Sequence, residues 1–225
     1  MKDEKGYILI SSLLIFMLVM IISTTLISIC ITNYEIQNIY AKSKDGFYQS
    51  EGALDRAYIE VENHVEFSIN RANEKLKEFM KSEYHNFLQE EKSKEMQGLD
   101  SEYVDLIEDE AGIHFVLNKE KINEKLNSIF KGEYENCFLR LKYYSILVNN
   151  LKKLNSEDVK LRVLNQDFDI EDNKINFEIS SFYKHNGMIN EIVQGYYIDI
   201  PNKDDVYNKD NIGELINLRD WYRRR

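Results

Sequence analysis

The side chains that could do chemistry are few and scattered. The four histidines, His64, His85, His114 and His185, are scattered, with no second histidine at ligand spacing on a shared element, and read as structural. Cys30 lies in an apolar run and Cys137 far along the chain, so there is neither a disulfide framework nor a CxxC zinc spacing. No GxSxG, HExxH or glycine-rich phosphate loop occurs. One run has ligand-like spacing: Asp167, Asp169, Glu171, Asn173 and Glu178 fall at positions 1, 3, 5, 7 and 12 of an EF-hand-like loop, a candidate for calcium. Asp172 stands where that loop needs its turn glycine, and strands rather than helices are expected on either side. A solvated hairpin turn around Glu171-Asp172-Asn173 is the plainer reading. The chain is expected to be non-catalytic and to need no cofactor.

Charge narrows the partners. The net charge is −10, and the first six residues contribute nothing to it, because Lys2 and Lys5 offset Asp3 and Glu4. The acidity therefore lies beyond the apolar N-terminus, where it repels phosphate backbones, and no nucleic-acid partner is expected. The basic tail, with Arg219, Arg223, Arg224 and Arg225, reads as a solvated terminus.

The elements that carry these residues begin with an apolar segment. Tyr7–Thr32 is built of Ile, Leu, Met, Val, Phe, Ser and Thr, with Tyr7 at its start and Cys30 near its end, and no charge occurs from Tyr7 to Tyr34. As a helix, Tyr7–Thr32 spans about 39 Å, more than the ~30 Å hydrocarbon core. A cleaved secretory signal has a shorter apolar region followed by a small-x-small site, and neither is present. A membrane span is expected. Lys2 and Lys5 on one side are matched by Lys42 and Lys44 on the other, so the positive-inside rule leaves its orientation open.

Beyond the span the helical pattern persists, with neither Pro nor Gly from residue 7 to 45. Tyr40, Phe47, Leu54 and Val61 recur every seven residues as a large apolar stripe, expected to cover the protein's own domain. Beside it runs a seam of small residues, Ser43, Gly46, Ser50, Ala53 and Ala57. Small side chains at that spacing admit a closely packed partner, either a sheet or a neighbouring copy of the helix.

Two motifs carry a resemblance. Lys5-Gly6-Tyr7-Ile8-Leu9-Ile10-Ser11 resembles the processing site of type IV pilins and pseudopilins, a short charged leader and Gly before an aromatic residue that opens the apolar helix. Phe47-Tyr48-Gln49-Ser50-Glu51-Gly52-Ala53-Leu54-Asp55-Arg56-Ala57 is similar to the AxxAExGLxxA pattern of PilX-type minor pilins. The resemblance spans residues 5–57. It implies cleavage between Gly6 and Tyr7 by a prepilin peptidase, N-methylation of Tyr7, and a helix that sits in membrane lipid before assembly and later packs among other pilin or pseudopilin subunits. Ser43, Gly46, Ser50, Glu51, Gly52, Ala53 and Ala57 would lie on that assembly helix. The family usually has Glu at the fifth mature position, where this chain has Ser11, as in many PilX-like and K-type pseudopilins. The proline that often kinks the major-pilin helix is also missing.

The expected fold is α+β, a long N-terminal helix packed on a C-terminal antiparallel sheet. Residues 1–6 would form the leader, 7–32 the span, 33–97 an amphipathic helical extension and 98–225 the head. A turn is expected near Asn70–Asn73 or Ser82, because an unbroken helix to Gly98 would outreach a compact head. Residues 101–107 and 112–117 read as two short strands, and 119–131 as a helix capped by Asn118 and ended by Gly132. Cys137–Val148 favours a strand, although a helix fits nearly as well. Val159–Leu164, Lys174–Lys184 and Met188–Ile200 read as strands, with Asn186-Gly187 as the hairpin turn between the last two and Pro201 after them. Two functions fit this outline. One is a minor pilin or pseudopilin at the cell membrane or in a surface filament. The other is an unprocessed single-pass membrane protein whose outer domain binds a ligand or senses one.

Overall fold

A computed structural model describes residues 3–109, 112–164, 169–171, 173–185, 187–205, 207 and 211–224. Helix α1 runs Asp3–Glu78, passes through one π-helical turn at Phe79–Glu83, and continues as α2, Tyr84–Met96. Strands β1 (Val104–Asp109) and β2 (Gly112–Leu117) form a hairpin, followed by α3 (Lys119–Leu139) and α4 (Leu141–Lys153). The remaining strands are β3 (Val159–Val163), β4 (Asp169–Glu171), β5 (Lys174–His185), β6 (Met188–Asp199), β7 (Ile216–Leu218) and β8 (Tyr222–Arg224). They form an antiparallel sheet ordered β3-β5-β6-β7, with β4 also on β5 and β8 also on β6. The chain is α+β, a long N-terminal helix on a C-terminal antiparallel sheet, as expected.

The core lies between the sheet and the second half of α1. Ile175, Phe177, Ile179 and Tyr183 alternate inward along β5, the period of a strand buried on one face. Ala53, Ala57, Val61 and Val65 meet them from α1 at helical spacing, and all four are fully buried. Phe130, Tyr134 and Phe138 of α3 complete the core, with Leu147 and Leu151 of α4. The hairpin expected at Asn186-Gly187 forms with Gly187 at φ +80°, where a residue without Cβ is unstrained; Asn186 lies outside the described residues.

Three expectations are corrected. No turn breaks the helix at Asn70–Asn73, and Ser82 lies inside the π-helical turn, its hydroxyl donating to the Glu78 carbonyl at 2.7 Å. The long helix is supported beyond the sheet, because α3 packs along α1 and the hairpin covers α2. Phe79, Phe87 and Tyr103 form the aromatic contacts of that arm, at ring separations of 6.1 and 5.1 Å. Helix α3 is capped by Asn118, whose Oδ1 accepts from the Lys121 N–H, but it runs through Gly132 to Leu139. Burial of Phe130, Tyr134, Cys137 and Phe138 on one face outweighs the ~1 kcal/mol that a helical glycine costs. Finally, 137–148 is helical rather than a strand. The chain turns at Arg140 (ψ 126°), and Leu147 and Leu151 are buried four residues apart.

Candidate functional site

The exposed half of α1 is the first part of the site. The Gly6–Tyr7 peptide bond lies near the start of this helix, between its fourth and fifth residues. Tyr7 is 81% exposed, Ser11 is exposed, and no residue from Tyr7 to Lys42 is buried. Four hydroxyls within the apolar stretch, those of Ser12, Thr24, Thr25 and Thr32, are satisfied locally. Ser12 donates to the Leu9 carbonyl at 3.0 Å, Thr25 to Ile21 at 2.8 Å and Thr32 to Ser28 at 3.0 Å. Polar groups bonded inside their own helix are what hydrocarbon tolerates, and this helix is long and apolar enough to cross a membrane.

The small-residue seam has found its partner in the protein's own sheet. Asn190 of β6 donates its amide to the Ser43 carbonyl at 3.4 Å. Gly46 lies against Tyr183 of β5, so closely that a Cβ at Gly46 would stand 2.5 Å from the ring. Ser50, Ala53 and Ala57 follow at 0% exposure. Among the described residues the Ser50 hydroxyl has no hydrogen-bond partner. The large stripe is covered only from its third member, since Leu54 and Val61 are buried, Phe47 is half-buried and Tyr40 is exposed.

The motif residues between these faces look outward. Glu51 is exposed, and a Cβ at Gly52 would meet nothing within 4 Å. Asp55 borders two shallow clefts between α1 and the sheet, of about 100 and 260 Å³, which share Leu54, Asp55 and Gln194, and Glu51 borders the smaller one. Trp221 closes the smaller cleft, its ring 5.4 Å from Phe47. That lid was not legible in the sequence, where Trp221 belongs to the basic tail. The tail is partly tied down. Arg219 donates its N–H to the Gly195 carbonyl at 3.0 Å, and the Arg223 guanidinium bonds to Asn190 Oδ1. Arg225 and the side chain of Arg224 lie outside the described residues.

The other candidate residues are placed as follows. Asp169 and Glu171 lie in β4, Glu178 in the strand paired with it, and Asn173 in the turn between, at φ 62°. Asp167 lies outside the described residues, as do the side chains of Asp169 and Glu171. The Asn173 oxygen accepts from Lys131 Nζ at 3.0 Å, and its amide donates to the Ile200 carbonyl at 3.0 Å. The Asn173 side chain is thus engaged in closing a hairpin onto α3. His64 sits in the core beneath α3, its Nε2 3.2 Å from the Cys137 carbonyl. Burial pushes its pKa down to about 4, opposed by that hydrogen bond. Burial likewise pushes the Cys137 thiol up to about 11, so it is not a nucleophile at neutral pH. No family model, curated protein or solved structure matches this chain.

Proposed function

We propose that this chain is a minor pilin or pseudopilin, a structural subunit of a type IV pilus-like or secretion-like filament. The observation that carries this reading is the length of helix left uncovered by the rest of the protein. Residues 7–42 extend about 54 Å at about 1.5 Å per residue, whereas a bilayer core covers about 30 Å. Ile36, Ile39 and Tyr40, 59%, 58% and 70% exposed, lie outside the charge-free stretch. They continue the face that the head covers from Ser43 onward, so their missing cover is another helix. Assembly beside the same segment of neighbouring subunits supplies it. The Gly6–Tyr7 junction supports the same reading, because removing the leader frees an amine at the end of the apolar helix.

Ser11 adds a direction. A carboxylate at that depth is costly unless paired, by ~3 kcal/mol or more, so a Glu there would select a bundle in which it meets the amine of the subunit ahead. Ser11 offers no such charge, yet the Tyr7 amine can still receive a Glu from the subunit behind. Such a subunit belongs at the front of a filament.

Intact-mass and N-terminal analysis of membrane-extracted protein tests the reading. The expected chain starts at N-methylated Tyr7, and Gly6→Leu leaves the precursor uncut. Recovering only the leader-bearing chain from cells that process other pilins overturns the proposal and leaves the unprocessed membrane protein standing.

A further inference from the structure

The β1–β2 hairpin stands apart from the main sheet, at the end of the helix opposite the apolar span, and rests on α2 through β1. Its outer strand, Gly112–Leu117, reads GIHFVL and contains no Lys, Arg, Asp, Glu or Pro. Among the described residues no strand pairs with its far edge. The Asn118 N–H donates to the Tyr103 carbonyl at 2.9 Å, which makes that pair a hydrogen-bonded one. Antiparallel pairs alternate, so Val104↔Leu117, Leu106↔Phe115 and Glu108↔Ile113 are the pairs whose backbone groups point away from each other. The N–H and C=O groups of Ile113, Phe115 and Leu117 therefore face the open edge.

Edges of this kind are normally guarded, and the main sheet guards its own. Strand β3 carries Lys160 and Arg162 outward, and β7 and β8 are three residues long. Strand β2 has no such device, and its Ile113 is 65% exposed. The charge around it identifies the kind of partner. Residues 80–117 hold ten acids against three lysines, which is −7 of the chain's −10. That field repels anionic lipid and nucleic acid, and it also opposes pairing with the same hairpin of a second copy.

We propose that the open edge of β2 is a docking site for an extended segment of a partner protein, one that alternates apolar residues with lysine or arginine and adds as a third strand. Main-chain hydrogen bonds to Ile113, Phe115 and Leu117 supply the attachment, and the acidic arm supplies the charge selection.

The test uses the full chain in detergent micelles and a labelled heptapeptide alternating lysine and valine, followed by fluorescence anisotropy. Two control peptides replace lysine by glutamate, or carry backbone N-methyl groups on alternate residues. The lysine peptide should bind, weaken with added salt, and exceed both controls by about tenfold or more. Ile113→Pro removes one outward N–H without touching the inward ladder, and Ile113→Lys guards the edge. Each should weaken binding by a similar factor while the circular dichroism spectrum is retained. Absence of binding by the lysine peptide, equal binding by the glutamate peptide, or binding unchanged in both variants overturns the proposal.

Discussion

Gly46 and Gly52 lie six residues apart on one helix, and replacing each by alanine should move stability in opposite directions. Both changes gain the helix propensity and backbone stiffness that glycine lacks, about 0.5–1 kcal/mol. At Gly52 the new methyl group meets nothing within 4 Å, so that gain stands alone. At Gly46 it would lie 2.5 and 2.6 Å from two carbons of the Tyr183 ring. An ordinary carbon–carbon contact is about 3.5–4.0 Å, so the overlap is about 1 Å. Tyr183 is itself buried on β5, and its neighbour Asn190, 3.0 Å from the same Cβ position, is held by Ser43 and Arg223. The ring cannot swing aside, and overpacking of this kind costs about 1–3 kcal/mol. The net expectation is a loss of about 1–2 kcal/mol for Gly46→Ala and a gain of up to about 1 kcal/mol for Gly52→Ala. Since ~1 kcal/mol moves the Tm of a domain this size by about 2–4 °C, the two variants should differ by several degrees. Trp221, the sole tryptophan, packs on Phe47 beside this contact, so its fluorescence reports unfolding of the full chain in detergent. A Gly46→Ala protein as stable as the parent would refute the close approach of α1 to β5. A destabilised Gly52→Ala would refute the outward placement of Gly52.

Other outcomes follow from the same geometry. His64, with a folded pKa of about 4 against 6.5 unfolded, contributes stability fully present above pH 6.5 and lost as pH falls toward 4, by up to about 3 kcal/mol. Denaturant midpoints should therefore fall faster between pH 6.5 and 4 in the parent than in His64→Gln; parallel profiles would remove His64 as the cause. A chain beginning at residue 35 should be a soluble monomer with a mixed α+β circular dichroism spectrum, because the chief apolar aggregation surface is gone; an all-helical spectrum would contradict the sheet. If Ser11 places the subunit at the front of a filament, immunogold particles should sit at filament ends, and loss of the protein should reduce filament number more than length. Particles spread along the shaft would end the tip assignment and leave the subunit assignment intact.

Much of this architecture could be read from residue order alone. The charge-free run from Tyr7 to Tyr34, the period-two pattern of β5, the turn at Gly187 and the Asn118 cap are local signals, each set by residues a few positions apart. The seam at Ser43, Gly46, Ser50, Ala53 and Ala57 showed that something must approach the helix closely. Whether that partner was a sheet or a second helix depended on where Tyr183 and Asn190 arrive, more than a hundred residues later. The same distance effect explains the corrections. Gly132 and the stretch 137–148 carry weak or mixed local preferences, and burial against α1 and the sheet decided both in favour of helix. The run through Asn70–Asn73 stayed helical because α3 supplied cover that local spacing cannot foresee, as the β1–β2 arm did for α2 further along. Periodicity states which face of an element must leave water. Which surface receives it is decided by contacts distant in sequence, whose loop-closure entropy is offset only once the whole core forms.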